Sequence, residues 1–329
     1  MKNKYRNIFL AFGIIAVLIM IFTFDMDYQE LWANLKRAGV YLPLVLLLWL
    51  FVYLINTVSW YIIIRSSGKT GFSFARLYKF TVTGFALNYV TPVGLMGGEP
   101  YRIMELKPYI GIERATSSVI LYVMMHIFSH FCFWLSSVLL YVCLYPVGWV
   151  MGIILGAITV FCLLIATLFI KGYRHGMAVA VVRMGSRIPF LKKKVLHFAS
   201  VHKEKLENID KQIALLHQQK KQTFYSALLL EYTARVVSCL EIWLILNVLT
   251  TNVSFADCCL IAAFSSLLAN LLFFLPMQLG GREGGFALAG AYGVYAALIT
   301  RVREMVWIVI GLALMKVGNF KQSKEKYSA

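Results

Sequence analysis

TPVGLMGGEPYR, at residues 91–102, is the stretch that decides the fold. It places two prolines, three glycines and two opposite charges at the end of an apolar run, residues 77–91, that otherwise predicts a membrane helix. Proline and glycine break a helix, and an unpaired backbone group in hydrocarbon is energetically costly. Broken backbone at membrane depth therefore indicates a place that protein surrounds or that lines a water-filled cavity.

The composition indicates the membrane context. Sixty per cent of the residues are apolar and 14% are charged, and apolar runs of about 20 residues recur, the length that spans a bilayer. The formal charge of +17 comes from Lys and Arg between these runs, which is typical of cytoplasmic loops that meet anionic lipid headgroups rather than of nucleic-acid binding. This asymmetry predicts a multi-pass protein of the cell membrane with both termini in the cytoplasm.

The same charge pattern predicts the path of the chain. A span is expected at 41–64, and the runs at 115–143 and 147–170 are joined by an uncharged turn, LYPVG, that belongs outside. The basic residues on both sides of the run at 77–91 are then cytoplasmic, so this run does not cross the membrane. The sequence therefore predicts a re-entrant hairpin with a broken helix at 91–100.

We expect a single integral membrane domain over residues 1–329. Its fold is predicted as all-α, with about seven to nine hydrophobic helices and two re-entrant or broken helix hairpins. The segment at 171–222 is basic, with apolar positions spaced as on a surface helix, and predicts an amphipathic cytoplasmic helix on lipid headgroups. The first half is expected at 1–170 and begins with an uncleaved anchor at 8–24. The second half is expected at 223–329, with a broken helix at 276–285. Its apolar runs lie at 223–250, 255–276, 284–299 and 303–318.

A second stretch, PMQLGGRE at residues 276–283, repeats the features of the first. The spacing from proline to glutamate is the same, glycines lie between them, and an asparagine precedes each proline, at Asn88 and Asn270. The charge pattern brings the chain to this break from outside, so the two hairpins are possible halves of an inverted repeat. The runs at 255–276 and 284–299 are each long enough to span, which leaves the second hairpin either re-entrant or fully spanning.

The first break also predicts a ligand chemistry. Pro100 suits the first turn of a new helix, and Glu99 suits the position just before it. Free N–H groups at the N-terminus of a helix attract anions, including phosphate. The break is therefore a candidate anion site.

The two motifs resemble those of a known family. GGEPYR, at 97–102, and PMQLGGRE are similar to the paired motifs of the flippase-like transmembrane family named for the membrane region of lysylphosphatidylglycerol synthase, and the spans fit along nearly the whole chain. The resemblance implies a membrane protein that handles a lipid, with both motifs facing a central cavity. Val93 stands where glycine is frequent in the family, and no soluble aminoacyl-transfer domain is expected after residue 318. Synthesis of an aminoacylated lipid is therefore not expected of this chain alone.

Ionisable residues inside apolar runs usually face the interior of a helix bundle. Glu231 and Arg235, four residues apart, predict either an internal ion pair or a contact to substrate, and Glu241 lies on a similar face. His126 and His130 have a spacing that suits a metal ion, but their run has no acidic residue, which favours interhelical hydrogen bonds. The cysteines form no CxxC pair, and we expect neither a metal nor another cofactor.

The resulting hypothesis is a flippase or transporter that moves a phosphate-bearing phospholipid or isoprenoid lipid between leaflets. The alternatives are an intramembrane transferase or phosphatase acting on a lipid-linked phosphate, and a membrane partner of a lipid-synthesis enzyme. Transport is favoured over catalysis because the sequence offers no nucleophile or metal set. The residues predicted to bind the substrate are Asn88, Gly97, Gly98, Glu99, Arg102, Glu231, Arg235, Asn270, Gly280, Gly281, Arg282 and Glu283.

Overall fold

The computed structural model of the chain describes five continuous ranges and a few isolated residues. The continuous ranges are 41–90, 97–175, 221–249, 253–271 and 291–316. Several predictions lie outside the described residues, namely those for the anchor at 8–24, for residues 91–96, for most of the basic segment at 171–222 and for the second break at 276–285.

All regular structure in the described part of the chain is α-helical, which confirms the predicted fold class. The helices are α1 (Tyr41–Ser66), α2 (Phe74–Val90), α3 (Gly98–Ile110), α4 (Ile112–Leu144), α5 (Trp149–His175), α6 (Lys221–Leu249), α7 (Phe255–Leu271) and α8 (Ala291–Lys316).

Three of these helices are long and apolar enough to cross a membrane, and they agree with the spans predicted at 41–64, 115–143 and 147–170. Many of their large apolar side chains point outward; Trp149 is 80% exposed and Val160 is 66% exposed. Such a surface is expected to face hydrocarbon, because soluble proteins rarely expose continuous apolar area. The candidate spans are Tyr41–Ser66, Ile112–Leu144 and Trp149–Thr167.

α2 and α3 form an antiparallel helical hairpin. A Cβ atom added to Gly98, at the start of α3, would overlap the Gly84 carbonyl oxygen of α2, and Arg102 Nη2 lies 3.4 Å from the Thr81 carbonyl oxygen. The described part of the first helix ends at Val90 and the next helix begins at Gly98, so the predicted break at 91–100 falls largely outside the described residues and stays a prediction. The entry of this hairpin into the membrane from the cytoplasmic side also stays a prediction.

Two local features separate α3 from α4. Pro108 has no N–H to donate, and Gly111 has a φ of 80°, which glycine adopts without steric strain. The new helix begins at once, because the Ala115 N–H donates to the Gly111 carbonyl oxygen. The short polar helix α3 is thereby kept apart from the long apolar α4.

The last helix corrects a predicted boundary. The sequence predicts separate runs at 284–299 and 303–318, with Arg301 between them. The structure instead has one helix, α8, that continues through Arg301 and Arg303, whose side chains are 3% and 2% exposed. The prediction is wrong because it took charge as a sign of a loop, although TRVRE at 300–304 has no glycine or proline to end the helix.

One compact unit comprises the described residues within Met1–Leu54, Ser73–Glu105 and Val236–Ala329. In this unit α8 packs against α2. Thr83 Oγ1 donates to the Gly311 carbonyl oxygen over 3.0 Å, and a Cβ atom at Gly311 would leave no room for α2. A small residue thus allows the two backbones to approach closely, as is common between membrane helices.

The other compact unit comprises the described residues within Ile55–Phe72 and Leu106–Arg235. Here α4 packs against α5, and Trp60 of α1 stacks on Tyr122 of α4 with ring centres 5.4 Å apart. Arg114 donates hydrogen bonds to three oxygen atoms at the end of α1 and in the turn that follows it. The turn is therefore fixed by a side chain of α4.

Candidate functional site

The first glycine-rich motif lies at the N-terminus of α3. The Gly98 N–H donates to Asn88 Oδ1 over 2.6 Å, and Asn88 Nδ2 donates to Glu99 Oε1 over 2.9 Å. Arg102 Nη1 lies 3.3 Å from the same carboxylate oxygen, and Gly97 is buried beside it. The structure therefore brings together all the residues that the sequence predicted for the first break.

The two charges of this motif differ in accessibility. The Arg102 side chain is 1% exposed, with Cζ 4.8 Å from the centre of the Phe85 ring. A Cβ atom at Gly84 would overlap Arg102 Nε, so glycine is needed there to make room for the guanidinium. Glu99 is 22% exposed, and its Oε2 has no hydrogen-bond partner among the described residues. Glu99 is thus the more accessible charge and has an oxygen still open to a donor.

A second group of charges lies in the middle of α8. Arg303 binds Glu241 of α6 through two hydrogen bonds of 3.0 and 3.1 Å. Glu241 also accepts a 2.8 Å hydrogen bond from Trp49 Nε1, and the Trp49 ring centre lies 3.8 Å from Arg303 Cζ. Arg301 pairs with Glu304 at 2.9 Å, and all four charged side chains are at most 4% exposed. Two-point pairing and stacking offset the cost of burying these charges.

Most of this cluster was missed by the sequence analysis. Glu241 was noted only as a neighbour of Glu231, and Arg301 was left between two predicted runs. The available signal was that the charged stretch between these runs contains no glycine or proline. Because the main partner of Arg303 lies on another helix, hydropathy alone does not reveal the pair.

In the other unit, Glu231 and Arg235 of α6 both bind α4. Glu231 Oε2 lies 2.8 Å from His126 Nδ1, and the glutamate side chain is fully buried. Arg235 donates 2.8 Å hydrogen bonds to Ser129 Oγ and to the His126 carbonyl oxygen. The interhelical hydrogen bonding predicted for His126 is confirmed, whereas the predicted pairing of Glu231 with Arg235 stays a prediction.

Asn270 is the one remaining predicted residue within the described ranges. It donates a 2.7 Å hydrogen bond to the Ser266 carbonyl oxygen, one turn earlier in α7. Within the described ranges, no three His, Cys, Asp or Glu side chains gather as metal ligands. The residues of the second motif that lie outside the described part of the chain are Gly280, Gly281, Arg282 and Glu283.

Fold and site define an α-helical membrane protein with charged side chains buried among its helices. The chain belongs to the family of the lysylphosphatidylglycerol synthase TM region, since the family model matches residues 8–312. The family that the two motifs resemble is thereby confirmed. No curated protein and no solved structure matches the chain.

Proposed function

We propose that this protein moves a phosphate-bearing lipid, either a phospholipid or an isoprenoid phosphate, between the two leaflets of the cell membrane. In this proposal the chain crosses the membrane several times, both termini are cytoplasmic, and the basic segment at 171–222 rests on anionic headgroups. Membership of a family named for the membrane region of a lipid synthase supports a lipid as the substrate. The observation that carries the proposal is the first turn of α3.

That turn combines three features that favour an anionic headgroup. The N-terminus of a helix carries a partial positive charge, Arg102 lies in the same turn, and Glu99 holds the arginine in place. Charged groups are costly inside a membrane protein and commonly mark the path of a polar substrate. Gly98 allows the close approach of α2 that holds this turn in place.

In the proposed mechanism the lipid phosphate approaches the α3 N-terminus while the tails remain in the bilayer. Arg102 attracts the phosphate through its charge, and Glu99 either orients Arg102 or carries a proton. The binding region is then exposed to each leaflet in turn. The proposal extends to the other predicted substrate residues, Glu231, Arg235, Asn270, Gly280, Gly281, Arg282 and Glu283.

The test is lipid translocation in reconstituted vesicles. Vesicles carry fluorescent phosphatidylglycerol or a fluorescent polyprenyl phosphate, and a membrane-impermeant reductant bleaches the outer leaflet. Wild-type protein is expected to expose inner-leaflet lipid to the reductant. Arg102→Ala and Glu99→Ala are expected to abolish this exposure, whereas Lys107→Ala, an exposed basic residue of the same helix, leaves it unchanged.

Folding is checked by size-exclusion chromatography in detergent, because Arg102 is buried. A folded Arg102→Ala variant that moves lipid at the wild-type rate contradicts the assigned role. Mass spectrometry of the vesicle lipids tests the enzymatic alternative: a lipid of altered mass that forms only with wild-type protein would assign the chain to lipid modification instead of transport.

A further inference from the structure

One face of α8 carries three buried hydrogen-bond donors. Among the described residues, Thr300 Oγ1, Arg303 Nη1 and Trp307 Nε1 have no hydrogen-bond partner, and these side chains are at most 7% exposed. The indole N–H and the guanidinium N–H only donate, and the threonine hydroxyl donates as well. Because the great majority of buried polar groups in proteins are satisfied, an acceptor from outside the described residues is expected here.

The three donors lie close together on the helix. With about 100° of rotation per residue, positions 300, 303 and 307 fall within an arc of about 60°. Contacts with α1 link two members of the group. The Trp49 ring centre lies 3.8 Å from Arg303 Cζ, and the Tyr53 ring centre lies 5.4 Å from that of Trp49 and 4.9 Å from that of Trp307. Arg303 and Trp307 therefore border one row of aromatic rings on α1.

α2 packs beside this part of α8. Thr83 Oγ1 donates to the Gly311 carbonyl oxygen, and Leu87 and Val90, near the end of α2, share a hydrophobic cluster with Ile308 of α8. The helix that carries the donor face therefore lies against α2, which ends just before the first motif in the chain.

The charges around the face indicate how a ligand is selected. Arg301 and Arg303 balance Glu241 and Glu304, so the cluster has no net charge to attract a free anion from a distance. Both oxygens of Glu241 are already used by Arg303 and Trp49, which leaves donors and few acceptors. The chemistry fits a group rich in acceptor oxygens that is brought to the site by an attached apolar tail.

The geometry points to a phosphate subsite formed by Thr300, Arg303 and Trp307, which binds the headgroup phosphate of a membrane lipid rather than free phosphate. Arginine donates strong, charge-assisted hydrogen bonds to phosphate oxygens, and the hydroxyl and the indole N–H supply the further donors. That the ligand is a lipid rests on the proposed function. That these three side chains form one site rests on their shared helix face and their burial.

The test removes one donor at a time. Thr300→Val and Trp307→Phe leave the Arg303–Glu241 pair intact. Without ligand, Thr300→Val is expected to be as stable as wild type or more stable, because it replaces an unsatisfied buried donor by an apolar group of the same shape. Trp307→Phe also removes buried ring volume and is expected to lose some stability. Thermal unfolding in detergent measures this. Trp49→Phe is the contrasting variant, since its N–H is hydrogen-bonded to Glu241 and its loss is expected to destabilise the protein.

The binding arm uses short-chain phosphatidic acid, matched diacylglycerol and inorganic phosphate as probes. Phosphatidic acid is expected to stabilise wild type against unfolding, and the other two are not. Each donor-removing variant is expected to bind phosphatidic acid about tenfold more weakly, the effect of losing about one hydrogen bond to a charged group. Thr233→Val, on the exposed side of α6, is the matched control and is expected to bind as wild type does.

Several results would overturn the subsite. They are wild-type affinity of both variants for phosphatidic acid, loss of stability in Thr300→Val without lipid, and equal protection of wild type by inorganic phosphate or diacylglycerol. The translocation assay separates this proposal from the proposed function. Donor-dependent binding without any wild-type translocation supports the subsite and contradicts transport, whereas normal translocation by the Thr300→Val/Trp307→Phe double variant contradicts the subsite and leaves transport standing.

Discussion

The close approach of α2 and α3 gives a quantitative prediction for Gly98→Ala. A methyl group at this position would overlap the Gly84 carbonyl oxygen, and backbone atoms do not swing aside as a flexible side chain does. The two helices must therefore move apart. That movement stretches the 2.6 Å hydrogen bond from the Gly98 N–H to Asn88 and shifts Glu99, which Asn88 also binds.

The expected cost follows from these two effects. Forcing a methyl group into a packed site destabilises by about 1–3 kcal/mol, and loss of a buried hydrogen bond adds about 0.5–1.5 kcal/mol. We therefore expect Gly98→Ala to lower the free energy of unfolding by about 2–4 kcal/mol. Gly84→Ala is expected to cost less, because its methyl group meets the Arg102 side chain rather than backbone.

Gly156→Ala in α5 is the matched control. No atom lies within 4 Å of a Cβ added at Gly156, so alanine there is expected to stabilise by up to about 1 kcal/mol through its higher helix propensity. Unfolding titrations in mixed micelles, followed by circular dichroism, measure all three variants. If Gly98→Ala and Gly156→Ala have the same stability, the two helices do not approach as described and the reasoning is refuted.

Three further changes test other contacts. Glu241→Ala is expected to destabilise by about 3–5 kcal/mol in the same titration, because it leaves Arg303 buried without its main partner; wild-type stability would contradict the pairing. Arg114→Gln is expected to speed amide exchange at Gly68 roughly tenfold, since about one charge-assisted hydrogen bond to the turn is worth that factor, and unchanged exchange would mean that Arg114 does not hold the turn. Tyr232→Phe removes one interhelical hydrogen bond and is expected to cost about 0.5–1.5 kcal/mol, whereas no loss would show that the bond contributes nothing.

The start of α3 could be predicted because its signals are local. Pro100 suits the first turn of a helix, and Glu99 suits the position just before it. Asn88 precedes Gly98 by only 10 residues, and the structure places its side chain on Gly98 and Glu99. Short sequence separation therefore made this part of the candidate site accessible to inference.

The sequence alone determined the helical class, three apolar spans and the family, because hydropathy, charge and short motifs act within one segment of chain. Only the tertiary structure decided which charges meet. Arg303 pairs with Glu241 across 62 residues, and His126 pairs with Glu231 across 105. The physical reason is that a buried charge is tolerated only beside its partner, and which helix supplies that partner depends on how separate helices pack.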